Sequence, residues 1–124
     1  MAAFQMQRLT QRADFLATAK GAKVPAGPFV LQTRERGDLA PPRFGFTVSR
    51  KVGTAVERNR VRRRLREIVR RHAALLAEDG HDYVLIGRRT ALTMPFERIS
   101  AEFSSAMTRL SKSVGGSKSI PNER

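Results

Sequence analysis

The sequence predicts an α/β (α+β) domain with one sheet and three helices, and three observations carry that prediction. Two runs with alternating apolar residues precede a long basic helix. That helix stands behind a capping-box sequence. A continuous apolar run and an amphipathic helix then follow it. At 124 residues the chain has the size of a single domain, residues 9–112, with a flexible N-terminus over 1–8 and a disordered Ser/Gly/Lys-rich tail over 113–124.

In chain order, residues 9–21 read as a short helix. Thr10 is its expected N-cap and Gly21 its stop, with Leu9, Ala13, Leu16 and Ala17 as an approximate apolar stripe. Phe15 falls off the centre of that stripe, which leaves both a core position and a ligand-facing ring open. Lys23-Val24 adds a short strand before Pro25. Residues 29–34 and 43–49 form two more strands, and 35–42, with Gly37, Asp38 and two prolines, is the turn between them. Period two sorts their faces. Phe29, Leu31 and Thr33, with Phe44, Phe46 and Val48, point to the core; Val30, Gln32 and Arg34, with Gly45, Thr47 and Ser49, point away.

Thr54-Ala55-Val56-Glu57 is a capping box, in which the threonine hydroxyl and the glutamate carboxylate each satisfy a backbone amide. The helix behind it has an expected buried stripe of Val61, Leu65, Ile68, His72 and Leu75. It ends near Glu78-Asp79-Gly80. Residues 83–87 (YVLIG) are apolar throughout, as a central strand would be. Thr93 is the expected cap of a last helix, with Pro95 in its first turn and Phe96, Ile99, Phe103, Met107 and Leu110 as its core face.

The charge is concentrated. Residues 47–72 contain ten basic side chains, Arg50, Lys51, Arg58, Arg60, Arg62, Arg63, Arg64, Arg66, Arg70 and Arg71, against Glu57 and Glu67. They therefore hold +8 of the formal net charge of +13. Like charges at helical spacing repel, so the pattern points to a polyanion that relieves the repulsion. Nucleic acid leads and an anionic membrane surface is the second class; guanidinium groups suit phosphates and stack on bases. There is no cysteine, which excludes disulfides, thiolate metal sites and cysteine nucleophiles. No apolar run is long enough for a membrane helix and no signal-peptide core is present, so the expectation is a cytoplasmic protein without membrane contact. The acids are scattered, His72 and His81 have no ligand partner in sequence (His81 falling in a loop), and no glycine-rich phosphate loop occurs. Binding is therefore the expected contribution of the protein, with no catalytic side chain and no metal held by protein alone.

The block RFGFTVSRKVGTAVERNRVRRRLRE resembles the centre of the bacterial ribonuclease P protein component. Its marks are Val48-Ser49-Arg50-Lys51-Val52-Gly53, then Arg58-Asn59-Arg60 and the basic helix. Arg12-Ala13-Asp14-Phe15, Phe29-Val30-Leu31 and Asp82-Tyr83-Val84 match in the same order, so the similarity runs over about residues 9–110. The resemblance implies a two-layer sandwich like the second domain of ribosomal protein S5, with a mixed four-stranded sheet and a left-handed β-α-β crossover around the basic helix. It also implies the protein subunit of a ribonucleoprotein whose RNA, using magnesium ions held mainly by that RNA, removes the 5′ leader from precursor tRNA.

The implied partners are ribonuclease P RNA and precursor tRNA, with no DNA, and the protein itself is implied to be monomeric. Arg50, Lys51, Arg58, Asn59, Arg60, Arg62, Arg63 and Arg66 would contact RNA. Phe15, Val30, Gln32, Thr47 and Lys51 would line a cleft for the leader. Ala19 and Gln32 stand where aromatic residues would fit the pattern, so Phe15 is the one ring expected under the leader. Two other readings remain beside this one: a ribosomal or assembly-type RNA-binding protein without a role in cleavage, and a protein-only nuclease.

Overall fold

Thr54 starts the long helix as the sequence predicts. Its hydroxyl accepts from the Glu57 amide at 3.2 Å, and the Glu57 carboxylate accepts from the Thr54 amide at 2.9 Å. In the computed structural model, which describes residues 7–119 and their side chains as far as Ser111, this helix is α2 (Ala55–Leu76). The other elements are β1 (Gln7–Arg8), α1 (Arg12–Ala19), β2 (Ala22–Ala26), β3 (Phe29–Glu35), β4 (Arg43–Thr47), β5 (His81–Gly87) and α3 (Phe96–Ser119), with 3-10 turns at Arg50–Val52 and Arg89–Leu92. Met1 to Met6 lie outside the described residues, as do the side chains of the expected tail over 113–124.

The α+β architecture is as predicted, with one strand more. The sheet has five strands in the order β1-β4-β5-β3-β2, not four. The extra strand is Gln7–Arg8, which pairs parallel to Arg43 and Phe44 instead of remaining loose. A two-residue strand carries no period, so nothing in the sequence marked it. β5 lies at the centre of the sheet, parallel to β4 and antiparallel to β3, and α2 is the crossover between β4 and β5. His81, expected in a loop, is the first residue of β5 and is buried.

The core lies between one sheet face and the helices α2 and α3. Phe29, Leu31, Phe44 and Leu85 meet Val61, Leu65 and Ile68 of α2 and Ile99, Phe103 and Met107 of α3. Each such buried side chain contributes about 1.5–3 kcal/mol by removal from water. Phe44 stacks on Tyr83 with ring centroids 4.9 Å apart, and burial raises the Tyr83 phenol to about 12. Period two assigns Phe29, Leu31, Thr33, Phe44, Phe46 and Val48 to the core; five are buried and Phe46 is only half-buried.

Two helix-face expectations and two capping expectations fail. In α2 the buried set is Val61, Leu65, Ile68, Val69 and Ala73, while His72 is half-buried and Leu75 is 93% exposed. α2 packs against α3 as well as against the sheet, so its buried residues do not follow one straight stripe. In α1, which is shorter than expected, Gln11 and not Thr10 precedes the first turn; Leu16 is 52% exposed and Thr18 is fully buried. Thr93 does not cap α3. It closes the preceding 3-10 turn, and the Pro95 carbonyl instead accepts from the amides of Arg98 and Ile99.

Candidate nucleic-acid interface

The sheet's second face is organised in rows by the strand register. Arg43, Asp82 and Arg34 form the first row across β4, β5 and β3; Gly45, Val84 and Gln32 form the second; Thr47, Ile86 and Val30 form the third. α1 packs on this face across β3 and β5. It places Phe15 over Gly45, where an added Cβ would lie 2.5 Å from two ring carbons. The strand passes this close beneath the ring because position 45 has no side chain. Phe15 is half-buried, so it is neither a core ring nor a free one.

Beyond Phe15 the third row is open. Thr47 is exposed, and Val30 and Ile86 are half-buried. Thr10, Arg12, Phe15 and Thr47 line a shallow groove there. Gln32, expected on the same floor, is 7% exposed, because it lies in the covered second row. Ile86 is a floor residue that sequence reasoning missed. It belongs to a strand without alternation, and only pairing with Thr47 and Val30 reveals its face. Lys51 is exposed on the 3-10 turn that follows β4, and Ala19 is exposed at the end of α1.

A second groove wraps the edge of β4 and joins this floor to α2. Arg8, Phe15, Gly45, Phe46, Arg62 and Arg66 line it. The Arg66 guanidinium lies 5.8 Å from the centre of the Phe46 ring. Thus two sets of residues that the resemblance treats separately, Phe15 on the leader side and Arg62 and Arg66 on the RNA side, share one concave surface. Arg8 and Phe46 were not in either set. Arg8 was missed because the strand that fixes it was not recognised, and Phe46 because its period assigns it to the core, where it is only half-buried.

The arginines divide by partner. Arg34, Arg36 and Arg43 surround Asp82, whose side chain is fully buried, with hydrogen bonds of 2.6–3.0 Å. Burial pushes the Asp82 carboxyl up, but the three guanidinium groups prevail and hold it below the usual carboxylate range. Arg70 and Arg71 pair with Glu67, lowering it to about 2. Arg89 bridges Glu57 and the Val52 carbonyl. Arg60 and Arg64 turn to the other side of α2 and donate to the carbonyl of Leu92, and Arg64 also to that of Met94. Arg58, Arg62, Arg63 and Arg66 form no ion pair with an acid among the described residues, and Arg62 donates only to Asn59 at 3.0 Å. The expected RNA contacts thus fall on two sides of the helix. Arg62 and Arg66 face the groove, Arg60 faces the 3-10 turn at Arg89–Leu92, Arg50, Asn59 and Arg63 are exposed, and Arg58 is half-buried.

Among the described residues, no three of His, Asp and Glu come together as a metal-binding set. Asp14, Asp38 and Asp82 instead hold arginines. Among the described residues the donor set therefore does not fit a magnesium site. No described helix is long and apolar enough to cross a membrane.

The fold and the site define an α/β protein with a strongly cationic, only partly neutralised helix beside a grooved sheet. Comparison with known proteins gives the family. The model described as Ribonuclease P matches residues 5–111. The ribonuclease P protein component of Brucella suis is 38% identical over 122 residues, covering 92% of this chain and 86% of the relative. That of Caulobacter vibrioides is 40% identical over 117 residues, covering 92% and 78%. The ribonuclease P protein from Thermotoga maritima superposes with a TM-score of 0.71 at 30% identity, covering 83% of this chain and 96% of that one. The Staphylococcus aureus protein gives 0.70 at 28%, covering 84% and 94%. The chain belongs to the family of ribonuclease P protein components.

Proposed function

We propose that this chain is the protein subunit of a ribonuclease P holoenzyme in the cytoplasm, where it binds the catalytic RNA and the 5′ leader of precursor tRNA. It assists magnesium-dependent removal of that leader to give the mature tRNA 5′ end. The observation that carries the reading is the shared concave surface. A half-buried ring over a glycine floor opens into a groove walled by Arg62 and Arg66, cations that no acid of the described chain neutralises. A single strand laid on the Thr47–Ile86–Val30 row meets small and apolar side chains that tolerate any base. Phe15 offers a stacking face, and the arginines offer phosphate contacts.

The protein's own residues bind and orient. Arg58, Asn59, Arg62, Arg63 and Arg66, with Arg50 and Lys51 at the head of α2, screen the phosphates of two RNAs that would otherwise repel. Arg60 contributes a further charge on the opposite side of the helix. Phe15, Val30, Thr47 and Lys51 guide the leader, with Gln32 in the adjacent row that α1 covers. The magnesium ions and the bond-breaking chemistry belong to the RNA partner, and the protein itself is a monomer.

The test is reconstitution at low magnesium concentration with precursor tRNA. Protein alone, catalytic RNA alone and the mixture are compared for release of the leader. This reading expects efficient cleavage only in the mixture. Cleavage by protein alone would make it a nuclease in its own right. A mixture no faster than RNA alone would reduce it to a structural RNA-binding protein.

A further inference from the structure

α1 is an eight-residue helix with no side-chain N-cap, an exposed leucine and a single buried residue, Thr18. Apolar packing therefore does little to fix it, yet it carries Phe15. What it has instead is Asp14, the preceding residue. Asp14 Oδ1 accepts from Arg34 Nη2 at 2.9 Å, and Oδ2 lies 3.4 Å from Arg43 Nη1. Both arginines are in turn held by Asp82, Arg34 at 3.0 Å and Arg43 through two bonds of 2.8 Å. Register places Arg34, Asp82 and Arg43 side by side on three adjacent strands. The buried carboxylate of β5 thus aims two guanidinium groups outward, and α1 docks on them through Asp14. One residue further on, Phe15 sits over the next row of the sheet. The Thr18 hydroxyl donates to the Asp14 carbonyl at 2.7 Å and stiffens the same turn.

We propose that Asp14 is a positioning residue for the leader groove: anchored through Arg34 and Arg43 to Asp82, it fixes the height and direction of the Phe15 ring over Gly45. The proposal rests on the assignment of Phe15 to leader binding. Asp14 can be neutralised without unpairing the buried Asp82, which keeps Arg34, Arg36 and Arg43 when Asp14 becomes Asn.

Two readouts test it. The chain has no tryptophan, so Phe15→Trp gives a single reporter on the free protein. Adding Asp14→Asn should shift its emission to the red and increase its quenching by acrylamide, as the ring leaves Gly45. In the reconstituted holoenzyme, Asp14→Asn should raise KM for leader-bearing precursor about five-fold, the scale of one partly exposed charge pair, with kcat unchanged. Binding of mature tRNA should stay the same, and the five-fold effect should vanish in a Phe15→Ala background, because Asp14 acts through that ring. A loss that persists without Phe15, or that is equal for mature tRNA, overturns the proposal and makes the cluster only a fold element. Tighter precursor binding by Asp14→Asn also overturns it, since Asp14 would then face the leader phosphates directly. If Phe15→Ala alone leaves precursor binding intact, the leader assignment itself fails, and this proposal falls with it. An intact Phe15→Ala loss without coupling to Asp14 removes the proposal alone.

Discussion

Phe15→Ala separates a ring that packs from a ring that binds. The structure sets both magnitudes. The Cε1–Cζ edge of Phe15 rests on Gly45 and the residue lines two grooves, so the side chain is half-buried. A fully buried phenylalanine cut to alanine costs about 3–5 kcal/mol of stability. A half-buried one with a groove on its open side should cost no more than about 1.5 kcal/mol, because water fills the vacated space without leaving a cavity. Stacking of a base on the exposed face is worth about 1–3 kcal/mol, which converts to a loss of about 5- to 150-fold in affinity. The assay is a paired titration of reconstituted holoenzyme with leader-bearing precursor and with mature tRNA, beside a denaturant melt. The expected result is a loss confined to the precursor. Equal losses for both RNAs, or a drop in stability on the core scale, would refute the reasoning and return Phe15 to the core.

Other consequences follow from the charge distribution. Five helix cations in the proposed interface, Arg58, Arg60, Arg62, Arg63 and Arg66, should give a slope of log K against log salt of about −4, from ~0.7–0.9 per phosphate contact; a slope near −1 in a salt titration would exclude α2 as the RNA footprint. Asp82→Asn leaves three clustered guanidinium groups without their buried partner and should destabilise the fold by about 3 kcal/mol or more in a thermal or denaturant melt. Since the folded pKa of Asp82 is depressed, its stabilisation is complete above the unfolded carboxylate value of about 4 and is lost as pH falls through the lower folded value. The wild-type chain should therefore lose stability below that pH by an increment that Asp82→Asn lacks, as read in melts across the acid range.

Elements with a strong local signal were legible in the sequence. Thr54 and Glu57 cap α2 as the capping-box pattern requires, and the apolar residues of α3 from Ile99 to Leu110 are buried as their spacing indicates. β3 and β4 alternate, so their core faces could be assigned before any pairing was known. The parts that escaped depend on distant contacts. α1 is held by ion pairs between positions 14, 34 and 43, and these leave no apolar stripe to read. The burial of Gln32 follows from α1 lying above it. Ile86 gains its place in the groove only through register. The site was legible on its charged side because ten cations in one stretch need no partner to be noticed. Its shape was not, because the groove arises where Arg8, Phe46 and Arg66 meet around a strand edge.

The most direct test of the central claim, that one surface of this protein holds the leader while α2 holds the catalytic RNA, is site-specific photocrosslinking in the reconstituted holoenzyme. A photoreactive residue placed at Thr47, and separately at Arg63, is irradiated with labelled precursor tRNA, and the crosslinked nucleotides are mapped. The account predicts that position 47 captures leader nucleotides and position 63 captures the catalytic RNA. Crosslinks from position 47 to the catalytic RNA alone, persisting when the leader is removed, would contradict it.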